Sequence, residues 1–171
     1  FEGETLPSLK SLDTDGRVTP QFRDAVDRGL VLDIGHSGTD FRFRDARKLF
    51  DQGYFPNSAS TDLNVFSIDG PVYSLAETLS KVWALGVDLP DVIAMATTGP
   101  ATAVHRESML GAIEPGRSAD LSILEVVEGE DLPLSDGFET ILVEKKLASA
   151  GCYRAGEWYG APVEGLAEVT A

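Results

Sequence analysis

Phe55-Pro56-Asn57-Ser58-Ala59-Ser60-Thr61-Asp62-Leu63-Asn64 is the stretch on which the fold is read. Small, β-compatible residues run into Asp62, and Gly70-Pro71 follows soon after, so a short buried strand is expected to open into a loop at Asp62. A parallel α/β protein keeps its working side chains at that end of a strand. Asp62 is therefore the first candidate for a functional role.

Upstream, Leu30-Val31-Leu32-Asp33-Ile34 is a short, mostly apolar run bounded by glycines, which reads as a strand buried on both faces. It opens into Gly35-His36-Ser37-Gly38-Thr39-Asp40. A helix over about 43 to 52, with Phe43, Ala46, Leu49 and Phe50 on one side and Gly53 as its stop, joins the two strands. An earlier helix starts at Thr19-Pro20 and ends at Gly29, and residues 1 to 18 read as a long loop. Helix, strand, helix, strand at this spacing predicts a parallel sheet with right-handed crossovers, hence an α/β class.

Downstream, Ser74 and Glu77 form a capping box, and Leu75, Leu79, Val82 and Leu85 mark a helix that Gly86 terminates. Another helix is expected from about 90 to 98, broken at Gly99-Pro100, with a short helical piece around 101 to 106. From about 109 the pattern changes. Leu110 to Ile113, Ala119 to Leu124, Thr140 to Val143, Cys152-Tyr153 and Trp158-Tyr159 read as short strands between turns, a small β unit.

Composition narrows the partners. Twenty-eight acidic against 14 basic residues give a net charge of -14, a field that repels phosphate backbones and anionic headgroups, so neither nucleic acid nor a membrane is an expected partner. No apolar run approaches the roughly 20 residues of a membrane helix, and no charged-then-apolar leader opens the chain. The lone Cys152 cannot form an internal disulfide, which makes the cytoplasm the expected setting. Because the first residue is Phe1 and the opening residues carry no helix or strand pattern, the chain is expected to start in the middle of something larger.

Three stretches together resemble the metal-dependent amidohydrolase superfamily, in its deacetylase and dihydroorotase-like branch. Val31 to Phe41 is similar to the seventh barrel strand of that branch with its Gly-His-Gly loop. Ser60-Thr61-Asp62-Leu63-Asn64 is similar to the end of the eighth strand, where the family keeps an active-site aspartate. Ala96-Thr97-Thr98-Gly99-Pro100-Ala101, followed by Leu110 to Leu121 with its Gly-x-Ile-x-x-Gly-x-x-Ala-Asp-Leu pattern, resembles the passage into a flanking β-sandwich. The resemblance covers roughly residues 1 to 160. It implies an α/β fold, the C-terminal part of a TIM (β/α)8 barrel with strands 7 and 8 and their helices in residues 1–107, then part of a small β-sandwich in residues 108–171.

The resemblance also implies the chemistry. The family hydrolyses C–N bonds of small amides or cyclic amides through a metal-bound hydroxide. Asp62 is the expected metal ligand and proton shuttle, and a divalent ion, zinc by expectation and one or two in number, is the cofactor. Most of its ligands lie outside this chain, because the family's His-x-His pair has no counterpart among two histidines, His36 and His105. The partners implied are a small-molecule amide substrate, the missing N-terminal remainder of the same barrel, and a homo-oligomer that the sequence leaves open. The fragment alone is expected to be inactive.

A carboxylate that touches both metal and water can take a proton from the water and hand it to the leaving amine. His36, with Gly35 and Ser37, reads either as a loop holding the substrate's carbonyl or carboxylate, or as a histidine hydrogen-bonded at a strand end. His105, Asp120, Trp83, Trp158 and Cys152 read as structural. Ser37 stands where the branch usually has glycine, Asn64 where it often has histidine, and Gly99 where asparagine commonly precedes the proline. Two other classes stay open: a non-catalytic amidohydrolase-like scaffold or assembly module, and a free-standing α/β binding module.

Overall fold

The structure, a computed structural model, describes residues 10–160. The first nine residues of the predicted opening loop lie outside the described residues, as do residues 161–171. Helix α1 (Pro20–Asp27) starts where expected, with Thr19 Oγ1 accepting from the Phe22 N–H and Pro20 in the first turn. Strand β1 (Asp33–Gly35), helix α2 (Phe43–Asp51) and strand β2 (Ser58–Ser60) follow, and the two strands pair in parallel with Asp33 opposite Ser58 and Gly35 opposite Ser60. The parallel α/β expectation is met.

The strand at 30–34 forms later than predicted. Leu30 and Val31 are 40% and 46% exposed and stay outside the ladder, which begins at Asp33. Side chains alternate across the pair: Ile34 and Ala59 point into an apolar cluster with Leu79, Val82, Val92 and Met95, while Asp33, Gly35, Ser58 and Ser60 share the opposite, polar face. Each fully buried aliphatic side chain of that cluster contributes about 1.5–3 kcal/mol relative to exposure.

Helices α3 (Leu75–Ala84), α4 (Leu89–Ala94) and α5 (Thr98–Ala103) come next. Ser74 caps α3 by accepting from the Glu77 N–H at 3.1 Å. The stretch at Leu110–Ile113 is a turn and forms no strand; Gly111 sits at φ +85°, and a Cβ there would lie 2.7 Å from the Thr97 carbonyl oxygen. Gly111→Ala is therefore expected to destabilise the protein by roughly 1–3 kcal/mol, read as a lower midpoint in urea unfolding.

The C-terminal strands are longer and fewer than predicted. β3 (Leu121–Ser135) and β4 (Thr140–Arg154) form a hairpin, and β5 (Glu157–Gly160) adds to β4 in an antiparallel sheet of order β3-β4-β5. The charged stretch around Glu128 to Asp131, which reads as a turn, is instead absorbed by a register shift between Glu128 and Leu132, with Asp131 at φ +55°. Pro133 is tolerated because β3 lies at the sheet edge.

Two buried polar contacts fasten this sheet to the helices. Ser80 Oγ, on α3, accepts from the Leu147 N–H at 2.8 Å and donates to Ala76 O at 2.7 Å. Asp136, at the hairpin tip and 1% exposed, accepts from the Phe43 N–H at 2.8 Å with one carboxylate oxygen and from the Phe138 and Glu139 N–H groups with the other. Arg42, at the start of α2, offers no side-chain cap, so the cap of that helix comes from 93 residues away. No helix among the described residues is long and apolar enough to cross a membrane.

Candidate active site

The polar face of the strand pair leads to its C-terminal rim. There the His36 N–H donates to Ser60 O at 3.2 Å and the Ser37 N–H to Thr61 O at 2.9 Å, which carries the pairing past the end of the ladder and sets the two loops side by side. Asp62 thus stands at the same rim as the Gly35-to-Gly38 loop. It is exposed, and its backbone is left-handed, at φ +46°, as the chain turns out of β2. A Cβ added at Gly35 would be 3.9 Å from the Asp62 Cβ, 3.9 Å from an Asp33 carboxylate oxygen and 4.0 Å from Ser60 Oγ. Glycine at this position keeps open a small cradle ringed by polar groups.

Asn64 fixes the outgoing loop. Its Nδ2 donates to Asp62 O at 2.9 Å and to Ser37 Oγ at 3.4 Å, and its Oδ1 accepts from the Phe66 N–H at 2.9 Å. Two of the positions that depart from the family pattern, Ser37 and Asn64, therefore touch. The third has its own cause: a Cβ at Gly99 would lie 1.9 Å from the Asn57 carbonyl oxygen, so α5 approaches the lead-in to β2 closely only with glycine there. Just beyond Asp62 in sequence the loop exposes Val65, Phe66 and Ile68.

His36 is fully buried. Its Nε2 lies 2.9 Å from Lys81 Nζ, and its ring packs against Phe41 with centroids 5.2 Å apart. Lys81, also fully buried, donates to Pro71 O at 2.7 Å and pairs with Glu77 at 3.5 Å. Burial, and then the nearby Lys81 charge, lower the His36 pKa to about 4, which leaves the imidazole neutral near pH 7. Burial likewise pushes Lys81 below its ordinary value, with Glu77 opposing. The imidazole matches the hydrogen-bonded strand-end alternative, while Gly35 and Ser37 stay partly exposed at the rim.

The structure thus brings Asp62, Gly35 and Ser37 together and turns the His36 ring inward. Asp120 accepts from Ser118 and from the Ala155 N–H, a turn-holding role as expected, and His105 is exposed on its own turn. Sequence reasoning passed over Asp33, Ser58, Ser60 and Lys81. A charged residue inside the apolar run at 30–34 was the one available signal. Among the described residues no three His, Cys, Asp or Glu side chains come together in a way that could hold a metal ion.

Residues 42–151 match the amidohydrolase family, and the chain belongs to that family. A deacetylase of Brucella anthropi is 37% identical over 108 residues, 63% of this chain and 26% of that protein. A deacetylase of Enterococcus faecalis is 36% identical over 113 residues, 66% of this chain and 30% of that protein. The crystal structure of an adenine deaminase superposes with a TM-score of 0.81 at 30% identity, over 88% of this chain and 41% of that one. That of a dihydroorotase gives 0.73 at 27% identity, over 83% and 38%. The chain spans less than a third of the length of these deacetylases.

Proposed function

We propose that this chain is the C-terminal part of a (β/α)8-barrel hydrolase, with β1 and β2 as its seventh and eighth strands, residues 1–107 in the barrel and 108–171 in a flanking β-sandwich. The parent enzyme hydrolyses a C–N bond of a small amide or cyclic amide. The observation that carries this is the place of Asp62: an exposed carboxylate at the C-terminal end of a parallel strand, on the same rim as the glycine-rich loop after β1. In support, β1 pairs only with β2 among the described residues, and its other edge borders a cleft of about 880 Å³ between Leu12, Phe22, Arg42 and Phe50. The remainder of the barrel is the natural occupant of such an edge.

Asp62 fits a divalent ion such as zinc as one oxygen ligand, since it is exposed, its Cβ borders the space over Gly35 and, among the described residues, its carboxylate takes no hydrogen bond. The other ligands come from outside the described residues. When bound, the ion polarises the amide carbonyl and acidifies water. The Asp62 carboxylate would take the proton from the attacking water as the C–O bond forms and then pass it to the nitrogen, which departs as the C–N bond breaks. Gly35 and Ser37 offer backbone groups and a hydroxyl to the substrate, and His36, through Lys81, holds their loop. The free thiol of Cys152 suits a cytoplasmic enzyme.

The test is zinc analysis of the full-length protein with a screen of N-acetyl amino acids and cyclic amides. One or two zinc ions per chain are expected, with hydrolysis of at least one compound that a chelator abolishes and zinc restores. Full activity of zinc-free protein would remove the metal from the proposal.

A further inference from the structure

We infer that Asp33 is a positioning residue that sets the height of Asp62 at the barrel mouth by locking the register of β1 against β2. This deepens the function proposed above and rests on it. One Asp33 carboxylate oxygen accepts from Ser58 Oγ at 2.6 Å and the other from Ser60 Oγ, so the carboxylate straddles two consecutive residues on the polar face of β2. Asp62 is the next residue on the same side, two positions beyond Ser60.

The ladder needs such a lock. It is three residues long, and its apolar face is pinned chiefly by Ile34 and Ala59. A slip of one residue would turn Ile34 toward the polar side and is excluded by burial. A slip of two keeps every side chain on its own face, so alternation cannot exclude it. Such a slip would displace Asp62 by about 6.6 Å along the strand, two residues at roughly 3.3 Å each.

Asp33 discriminates against both two-residue slips. In one direction it would straddle Ser60 and Asp62, setting carboxylate against carboxylate. In the other it would straddle Pro56 and Ser58 and lose a hydroxyl donor. Asn57 clasps Leu32 where the pair begins, its Oδ1 accepting from the Leu32 N–H at 2.8 Å, but that clasp lies below the ladder. The Asp33 bonds clasp both serines of the ladder's polar face, with Ser60 Oγ also 3.3 Å from Ile34 O, and a Cβ at Gly35 would lie within 4 Å of both Asp33 and Asp62.

The experiment is zinc affinity of the full-length protein, measured by competition with a chromophoric chelator, beside the thermal midpoint of the zinc-free form. Asp33→Ala is expected to weaken zinc binding by about 10–100-fold, the range seen when outer partners of a metal ligand are removed. Asp33→Asn should recover most of the affinity, since an amide can accept from one serine and donate to the other. Adding Asp33→Ala to a Ser58→Ala/Ser60→Ala protein should cost little more. A loss of thermal midpoint with zinc affinity within twofold of the unmodified protein would overturn the inference and leave Asp33 a stability brace. Asp62→Asn in the same assay tests the underlying reading separately: unchanged affinity there would overturn Asp62 as a ligand whatever Asp33 does.

Discussion

Asp62→Asn in the full-length protein is expected to lower kcat by roughly 10²–10⁴-fold, the range for loss of a positioned proton-transfer group. Stability should change by no more than about 0.5 kcal/mol, because the side chain is exposed and only its carbonyl oxygen, not its carboxylate, accepts a hydrogen bond among the described residues. The amide keeps the size and one oxygen but cannot take up the water's proton. A fall in kcat with KM unchanged marks an interaction made only in the transition state. Turnover within twofold of the unmodified enzyme would remove Asp62 from the chemistry.

The second large effect is on folding. Asp136→Ala removes the acceptor of three backbone N–H groups, those of Phe43, Phe138 and Glu139, each at 2.8 Å from a carboxylate that is 1% exposed. A buried donor left without a partner costs about 1–3 kcal/mol, so a loss of about 3 kcal/mol is expected after partial relaxation. For a chain of this length that lowers Tm by roughly 6–12 °C. Asp136→Asn should fall between, since its amide retains one acceptor oxygen. A calorimetric Tm within 2 °C of the unmodified protein, about the shift expected from less than 1 kcal/mol, would show that the tip of the hairpin contributes no cap to α2.

Acid should act on the same region in two stages. Burial works to raise the Asp136 pKa, but the N–H groups of Glu139, Phe138 and Phe43 outweigh it and hold it below the ordinary value. Its contribution is therefore complete above the unfolded value of about 3.9 and is lost as pH falls through the folded one. His36, neutral when folded, takes up a proton more readily in the unfolded chain. Stability should thus begin to decline as pH falls from about 6.5 toward about 4. Equilibrium unfolding followed from above about pH 6.5 to well below about pH 3.9 checks both signs.

Helices α1, α2 and α3 were legible because their signals are local. The helix expected over about 90 to 98 instead ends at Ala94, and Gly99-Pro100, read as a break, lies in the first turn of α5. Phe43, Ala46, Leu49 and Phe50 at helical spacing, closed by Gly53, gave α2 to within a residue, and Ser74 capped α3 as its capping box required. Glu77 departs from the full motif: its carboxylate turns to Lys81. Lys81 itself was not legible, since a lysine on an amphipathic helix reads as a solvated cation, and its partner His36 lies 45 residues earlier. The long strands were hidden because Glu128 to Asp131 looks like a hairpin turn, and only the partner strand makes it a bulge. The position of Asp62 at the end of a parallel strand was legible from the run of small residues before it. Asp33 was not, because its two serine partners belong to another strand.

The cap on α2 has a consequence for how the polypeptide is made. The helix begins at Phe43, but the carboxylate that completes it is at Asp136, 93 residues later in translation. At about 5–20 residues per second, the first of these waits roughly 5–20 s for the second to leave the ribosome. Over that interval the first N–H of the helix is answered by water, and the carboxylate takes its place only when the hairpin docks.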